Sequence, residues 1–192
     1  NKNRLAGSIF SEVTQFQYKN TPDIDDSNQF KIMFEAIQEM IKNKKILALH
    51  DISDGGLITS LLEMCFTKKI GMKLNLNGSN DVNEELFAEE IGLTLQVKKD
   101  DVEQITNSLI QKNIYVEQIA TLEKDNFIII KNDEKLFDES INQLEKYWRE
   151  TSHAIQSIRD NKKIADSELS LLDDKNFSGL FTSDTFDETQ LK

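Results

Sequence analysis

The sequence predicts a mixed α/β domain, and three observations carry that prediction. Short apolar or alternating runs, such as Ile46-Leu47-Ala48-Leu49, recur between segments whose apolar residues fall at three-and-four spacing. Strand and helix patterns alternate along the chain, as expected of a sheet with helices packed on it. The 192 residues suffice for one sizeable domain, or one domain with a tail.

Taken in order, Gly7 to Val13 predicts a short helix, and Asn20-Thr21-Pro22-Asp23 a loop containing the only proline. Ser27 is expected to cap a strong helix with Phe30, Met33, Phe34, Ile37 and Ile41 on one buried face. Ile46 to Leu49 reads as a strand covered on both faces. The loop His50-Asp51-Ile52-Ser53-Asp54-Gly55-Gly56-Leu57 leads into a helix that begins near Gly55 or Gly56 and stops at Lys69-Ile70-Gly71. Met72, Leu74 and Leu76 alternate with Lys73 and Asn75, which predicts a strand with one wetter face.

Asn77 to Asn83 is a polar loop, and Glu84 to Glu90 a short helix before the strand Leu93 to Val97. Asp100 or Asp101 opens a helix with Val102, Ile105, Leu109 and Ile110 as its apolar positions. Val116 to Thr121 and Phe127 to Lys131 predict strands, followed by Leu136-Phe137 after a turn at Asn132-Asp133. From Asp138 the pattern is helical through Ile141, Leu144, Trp148, Ile155 and Ile158. Beyond Asp160-Asn161 the chain turns polar, and Asp173 to Lys192 reads as a linker with local packing. The expected division is a lobe over 1–150 and a helix with linker over 151–192.

Composition narrows function. A formal charge of −11 and a pI near 4.7 exclude a broad nucleic-acid surface, which needs a basic field. No run approaches the roughly 18 apolar residues of a membrane helix, and the mean hydropathy of −0.49 fits a well-solvated surface. The single cysteine, Cys65, rules out an intrachain disulfide and reads as helix packing in a reducing compartment. The chain opens on Asn1, and Arg4 to Val13 already resembles the middle of a fold, so a longer polypeptide is expected.

Chemistry concentrates in the glycine-pair loop. A strand that turns on glycines into a helix exposes N–H groups where anions are favoured. Asp51, expected just past a parallel strand, suits a Mg²⁺ ligand, since Mg²⁺ takes one or two carboxylates plus phosphate oxygens and water. Ser53 can donate to a phosphate, Asp54 can join the metal shell or cap the helix, and Gly55 and Gly56 permit close backbone approach. Ser or Asp before Gly also marks an ordinary helix cap, so spacing leaves binding and capping both open. His50 and His153 read as hydrogen-bonded residues rather than bases. Glu84-Glu85 and Glu89-Glu90 form either a solvated face or a metal-linked cluster, and Thr151-Ser152 with Arg159-Asp160-Asn161 reads as capping and surface ion pairs. No Walker loop, CxxC or Ser-His-Asp arrangement is legible.

Several stretches in order resemble the phosphoribosylformylglycinamidine synthase family. They are Arg4-Leu5-Ala6-Gly7-Ser8, Pro22-Asp23-Ile24-Asp25-Asp26, Phe34-Glu35-Ala36-Ile37, the His50 to Leu57 loop, Leu86 to Gly92 with Leu95-Gln96-Val97, and Trp148 to Asn161. Ile52, Ala6 and Lys162-Lys163 depart from the family's usual residues. The resemblance is to the C-terminal lobe of the second synthetase-like half in the large single-chain form. It implies a three-layer α/β/α lobe like the C-terminal domain of aminoimidazole ribonucleotide synthetase-type proteins, with C-terminal helices.

It further implies part of an ATP- and glutamine-dependent ligase of purine biosynthesis, located in the cytoplasm. Its cofactors are Mg²⁺ and ATP or ADP, its substrate formylglycinamide ribonucleotide, and its partners the remaining domains including the glutaminase, with no nucleic acid or membrane. By the resemblance Asp51 matches a metal ligand and Ser53 an ATP contact, with Asp54, Gly55 and Gly56 supporting the loop. The site implied is the auxiliary one that holds a structural nucleotide, so no residue here is expected to be catalytic and an isolated lobe is expected to be inactive. The alternative is a non-catalytic scaffold lobe that supports domain packing.

Overall fold

The computed structural model describes residues 2–77 and 80–174. The expected linker beyond Asp174, and Gly78-Ser79 of the expected polar loop, lie outside them. The chain divides into two compact units, Asn1–Leu144 and Glu145–Lys192.

The first unit contains helices α1 (Ile9–Thr14), α2 (Ser27–Lys42), α3 (Gly56–Phe66), α4 (Val82–Phe87) and α5 (Val102–Gln111). Its strands are β1 (Ile46–Ile52), β2 (Gly71–Leu76), β3 (Gly92–Val97), β4 (Ala120–Glu123), β5 (Asn126–Lys131) and β6 (Glu134–Ser140). Helix α6 (Ile141–Arg159) starts in this unit, and α7 (Lys162–Ser170) belongs to the second. No helix among the described residues is long and apolar enough to cross a membrane.

The mixed α/β class is as the sequence predicts. Four strands form a sheet in the order β4-β2-β5-β6, with β2 parallel to β5 and the other neighbours antiparallel. The alternation in β2 is real: Met72, Leu74 and Leu76 are buried, whereas Lys73 and Asn75 are half-buried. They pack with Phe127 and Ile129 of β5, Leu61 and Cys65 of α3, Leu86 of α4 and Ile141 at the start of α6. Leu74 and Phe127 are wholly buried, and burial of each such side chain stabilises by about 1.5–3 kcal/mol. A smaller cluster joins Ala36 of α2 to Ile105 and Leu109 of α5 and to Ile114.

Strands β1 and β3 form a separate antiparallel pair running from Ile46 opposite Val97 to Ile52 opposite Gly92. This corrects the expected parallel strand. It also corrects the expected two-sided cover: burial alternates along β1, and Leu47 is 53% exposed. A two-stranded pair with α3 against it covers only one face, so an apolar run need not mean a doubly covered strand.

Other expectations shift for similar reasons. Asp26, not Ser27, caps α2, its Oδ1 accepting N–H bonds from Asn28 at 2.9 Å and Gln29 at 3.0 Å. Only Ala36 and Ile37 of α2 are buried, and Phe34 is 56% exposed, so the apolar stripe is half used. Asp138 to Ser140 extends β6 instead of opening a helix, because the strand continues to pair with Asn126 to Ile128. Ile110 is exposed. Helix α7 arises in a stretch read as polar; Asn161 caps it by accepting from Lys163 N–H at 3.0 Å, and only Ala165 is buried.

Candidate functional site

Strand β1 carries Asp51 opposite Leu93, inside the strand rather than beyond it. Period-two geometry places Asp51 with Leu47 and Leu49 on the exposed face, and its side chain is 68% exposed. His50 points the other way, toward α3. Its Nδ1 lies 2.7 Å from the Asp51 carbonyl oxygen and its Nε2 2.8 Å from Glu63 Oε2. Both ring nitrogens are engaged, so His50 is not poised as a base.

After β1 the chain turns. Gly56 N–H donates to the Ser53 carbonyl at 2.9 Å, and Gly55 takes a left-handed φ of 84° at the α3 N-terminus. No side chain caps α3. Ser53 and Asp54 are exposed and their side chains make no hydrogen bond among the described residues. The capping reading of these two residues is therefore overturned: neither side chain accepts from the first turn of α3, and the Gly55 and Gly56 N–H groups go to Glu89 Oε1 and the Ser53 carbonyl.

One of those groups comes from another motif. Glu89 Oε1 accepts the Gly55 N–H at 2.8 Å and the Ile9 N–H at 2.9 Å. Gly56, at φ +75°, packs so closely on α4 that an added Cβ would fall 2.6 Å from the Phe87 carbonyl carbon. The glycine pair thus serves a left-handed turn and a tight backbone contact. Neighbouring Phe87 stacks on Phe10, ring centroids 4.5 Å apart, which brings α1 to the same place.

The acidic segment is neither a solvated face nor a metal cluster. Glu85 pairs with Lys131 Nζ at 2.7 Å. Glu90, nearly buried, receives Arg4 Nε and Nη2 at 2.7 Å each and the Arg4 backbone N–H at 3.0 Å. Arg4 also reaches Asp25 at 3.1 Å and the Asp23 carbonyl at 3.0 Å. The Arg4 guanidinium, through its hydrogen bonds, holds the Glu90 carboxyl below the usual carboxylate range. Lys2, and then Arg4, do the same for Asp25. This clamp ties the N-terminal segment and its Asp-rich loop to the start of β3. The sequence signal for it was the spaced Arg4, Asp25 and Glu90, whose pairing is non-local.

No three His, Cys, Asp or Glu side chains among the described residues converge as a metal site. Asp51 is an exposed carboxylate of the kind Mg²⁺ takes when phosphate oxygens and water complete its shell. A cleft of about 1320 Å³ opens elsewhere in the first unit, walled by Met33, Leu61, Leu95, Leu109 and Leu122, and none of Asp51 to Gly56 except Ile52 lines it. Burial pushes the Cys65 thiol up to about 11, which makes it an inert core residue at neutral pH.

In the second unit His153 Nε2 lies 3.0 Å from Asp166 Oδ1 and 3.4 Å from Ser157 Oγ. Both partners meet the same ring nitrogen, so the three cannot form a relay in which the base stands between them. Lys162 holds the Asp166 carboxyl below its ordinary range, with His153 contributing less.

Comparison with known proteins matches residues 2–131 to the family described as AIR synthase related protein, C-terminal domain. T. maritima PurL complexed with ATP shares the fold with a TM-score of 0.56 at 15% identity, over 59% of this chain and 21% of that one. The same protein complexed with ADP gives 0.57 at 14% identity, over 64% and 23%. Complexed with FGAR it gives 0.56 at 14%, over 59% and 20%. The chain thus spans about a fifth of the length of these structures.

Proposed function

The chain belongs to the AIR synthase related protein, C-terminal domain family, and from that premise we propose that it is the second C-terminal lobe of a phosphoribosylformylglycinamidine synthase of the large single-chain kind. On this reading residues 1–150 form the synthetase-like lobe, and 151–192 lead toward a glutaminase domain. The enzyme is a cytoplasmic ligase of purine synthesis. ATP transfers its γ-phosphoryl group to the amide oxygen of formylglycinamide ribonucleotide and leaves as ADP. Ammonia released from glutamine then adds to the amide carbon and phosphate departs, leaving the amidine.

This lobe contributes to an auxiliary Mg-ATP or Mg-ADP site. The carrying observation is that Asp51, Ser53 and Asp54 stay exposed while capping is left to other groups. Asp51 would hold Mg²⁺ through its carboxylate, Ser53 would donate its hydroxyl to a phosphate oxygen, and Asp54, Gly55 and Gly56 would shape the loop. Mg²⁺, when bound, neutralises phosphate charge. The scaffold alternative draws its support from the Gly55 and Gly56 N–H groups, both engaged within the chain.

Calorimetric titration of Mg-ADP into this chain, and into the complete enzyme stripped of nucleotide, separates the two. The expected result is binding in the complete enzyme that weakens about tenfold or more with Asp51→Asn, the loss of a charge-assisted contact. Binding indifferent to Asp51→Asn would establish the scaffold reading instead.

A further inference from the structure

Glu89 sits where a phosphate would be expected. The start of a helix attracts anions because its first N–H groups lack partners and its dipole is positive there. In α3 the Gly55 N–H is already held by Glu89 Oε1 at 2.8 Å, and the Gly56 N–H by the Ser53 carbonyl at 2.9 Å. The protein thus supplies its own anion. The same oxygen holds the Ile9 N–H at 2.9 Å, so one carboxylate fastens both α1 and the loop.

What the loop then offers outward is negative. Asp51 and Asp54 are exposed, and the stretch from His50 to Glu63 contains no Lys or Arg. A bare phosphate would face these carboxylates with the Gly55 and Gly56 N–H groups already taken, which weakens the pull of the helix end on it. A phosphate carrying a divalent cation would meet groups suited to the cation.

We propose that Glu89 is a positioning residue of this loop, and that its carboxylate on the Gly55 N–H at the start of α3 biases the loop toward phosphate presented with a cation. The proposal rests on the nucleotide reading above. Glu89 acts through the Gly55 and Ile9 amides. Its neighbour Glu90 has a separate task in the Arg4 clamp, and so does Glu85 with Lys131.

The first test is amide hydrogen exchange on this chain. In Glu89→Ala the protection of Gly55 and Ile9 should fall together by about tenfold or more, as expected when a charged acceptor is lost. Glu89→Gln, which keeps an acceptor oxygen, should retain most of it. Independent behaviour of the two amides, or no change in Glu89→Ala, would overturn the positioning role.

The second test titrates the complete enzyme with ADP in EDTA and with Mg-ADP. In Glu89→Gln the affinity for Mg-free ADP should rise about tenfold relative to that for Mg-ADP, the scale of one charge removed at a helix end. An unchanged ratio in Glu89→Gln, while Asp51→Asn still weakens Mg-ADP, would overturn this proposal and leave the nucleotide reading intact. Mg-ADP binding indifferent to Asp51→Asn would overturn both.

Discussion

Two acidic segments meet at the start of α3, and their carboxylates do opposite things. From Glu85 to Glu90 each carboxylate has a protein partner: Glu85 has Lys131, Glu89 the Gly55 and Ile9 amides, and Glu90 the Arg4 guanidinium. The side chains of Asp51, Ser53 and Asp54 face solvent, and His50 stands 3.4 Å from Asp51 Oδ1. The first segment fastens the fold. The second leaves its polar side chains exposed, and the proposed nucleotide reading draws on that exposure. Acidic residues close in space therefore divide by partner, not by composition.

The comparison breaks most sharply at Gly56, where the two segments touch. Gly56→Ala places a Cβ 2.6 Å from the Phe87 carbonyl carbon at a φ of +75°. Left-handed strain and overpacking add, so a loss of about 3 kcal/mol or more is expected by denaturant unfolding. A loss under about 1 kcal/mol would mean that α4 yields easily, contrary to ordinary core packing.

Next comes the fastening segment itself. Glu90→Gln removes the charged partner of Arg4, which keeps Asp25, and should cost about 2 kcal/mol, the scale of charged hydrogen bonds. The pH dependence follows from the depressed Glu90 carboxyl. A carboxyl whose folded pKa is lowered contributes stability above its unfolded value of about 4.3, and that contribution is lost as pH falls through the folded value. Acid unfolding curves of the wild type should therefore steepen below about pH 4.3 more than those of Glu90→Gln. Parallel curves would show that the clamp contributes nothing to the acid limb.

A neutral contact between α3 and β3 gives a scale. Ser60 Oγ and Thr94 Oγ1 are buried 2.7 Å apart. Thr94→Val leaves the Ser60 hydroxyl without that partner and should cost about 1–2 kcal/mol in thermal or denaturant unfolding. Asp51→Asn and Asp54→Asn should have the smallest effects, within about 0.5 kcal/mol, as for exposed substitutions without a structural role. A larger loss at either would place that residue among the fastening groups.

Much of the fold was legible because its signals are local. Met72, Leu74 and Leu76 announced a half-covered strand, and β2 is one. The helix after the glycine pair begins at Gly56, as its pattern indicated. Local signals misled where burial depends on a distant partner. Leu47 and Leu49 look like doubly covered strand residues, yet β1 pairs only with β3 and leaves that face open. Phe30, Phe34 and Ile41 are spaced like a core stripe, but the cluster with α5 takes up Ala36 on a neighbouring face. Helix α7 was missed because its polar sequence buries only Ala165, so no apolar period marks it.

The candidate site divides in the same way. By itself the sequence determined the loop: two adjacent glycines after Asp, Ser and Asp require a left-handed turn into a helix, since local sterics set backbone freedom. It also determined the residue types on offer there, two carboxylates and a hydroxyl without a nearby Lys or Arg. Only the tertiary structure decided which groups remained available. Glu89 reaches Gly55 across 34 positions, Ile9 across 80, and Arg4 reaches Glu90 across 86. Such pairings form when the chain closes long loops around a shared core, and no sequence period encodes them. A carboxylate becomes a fastener or a ligand according to what the fold brings within about 3 Å of it.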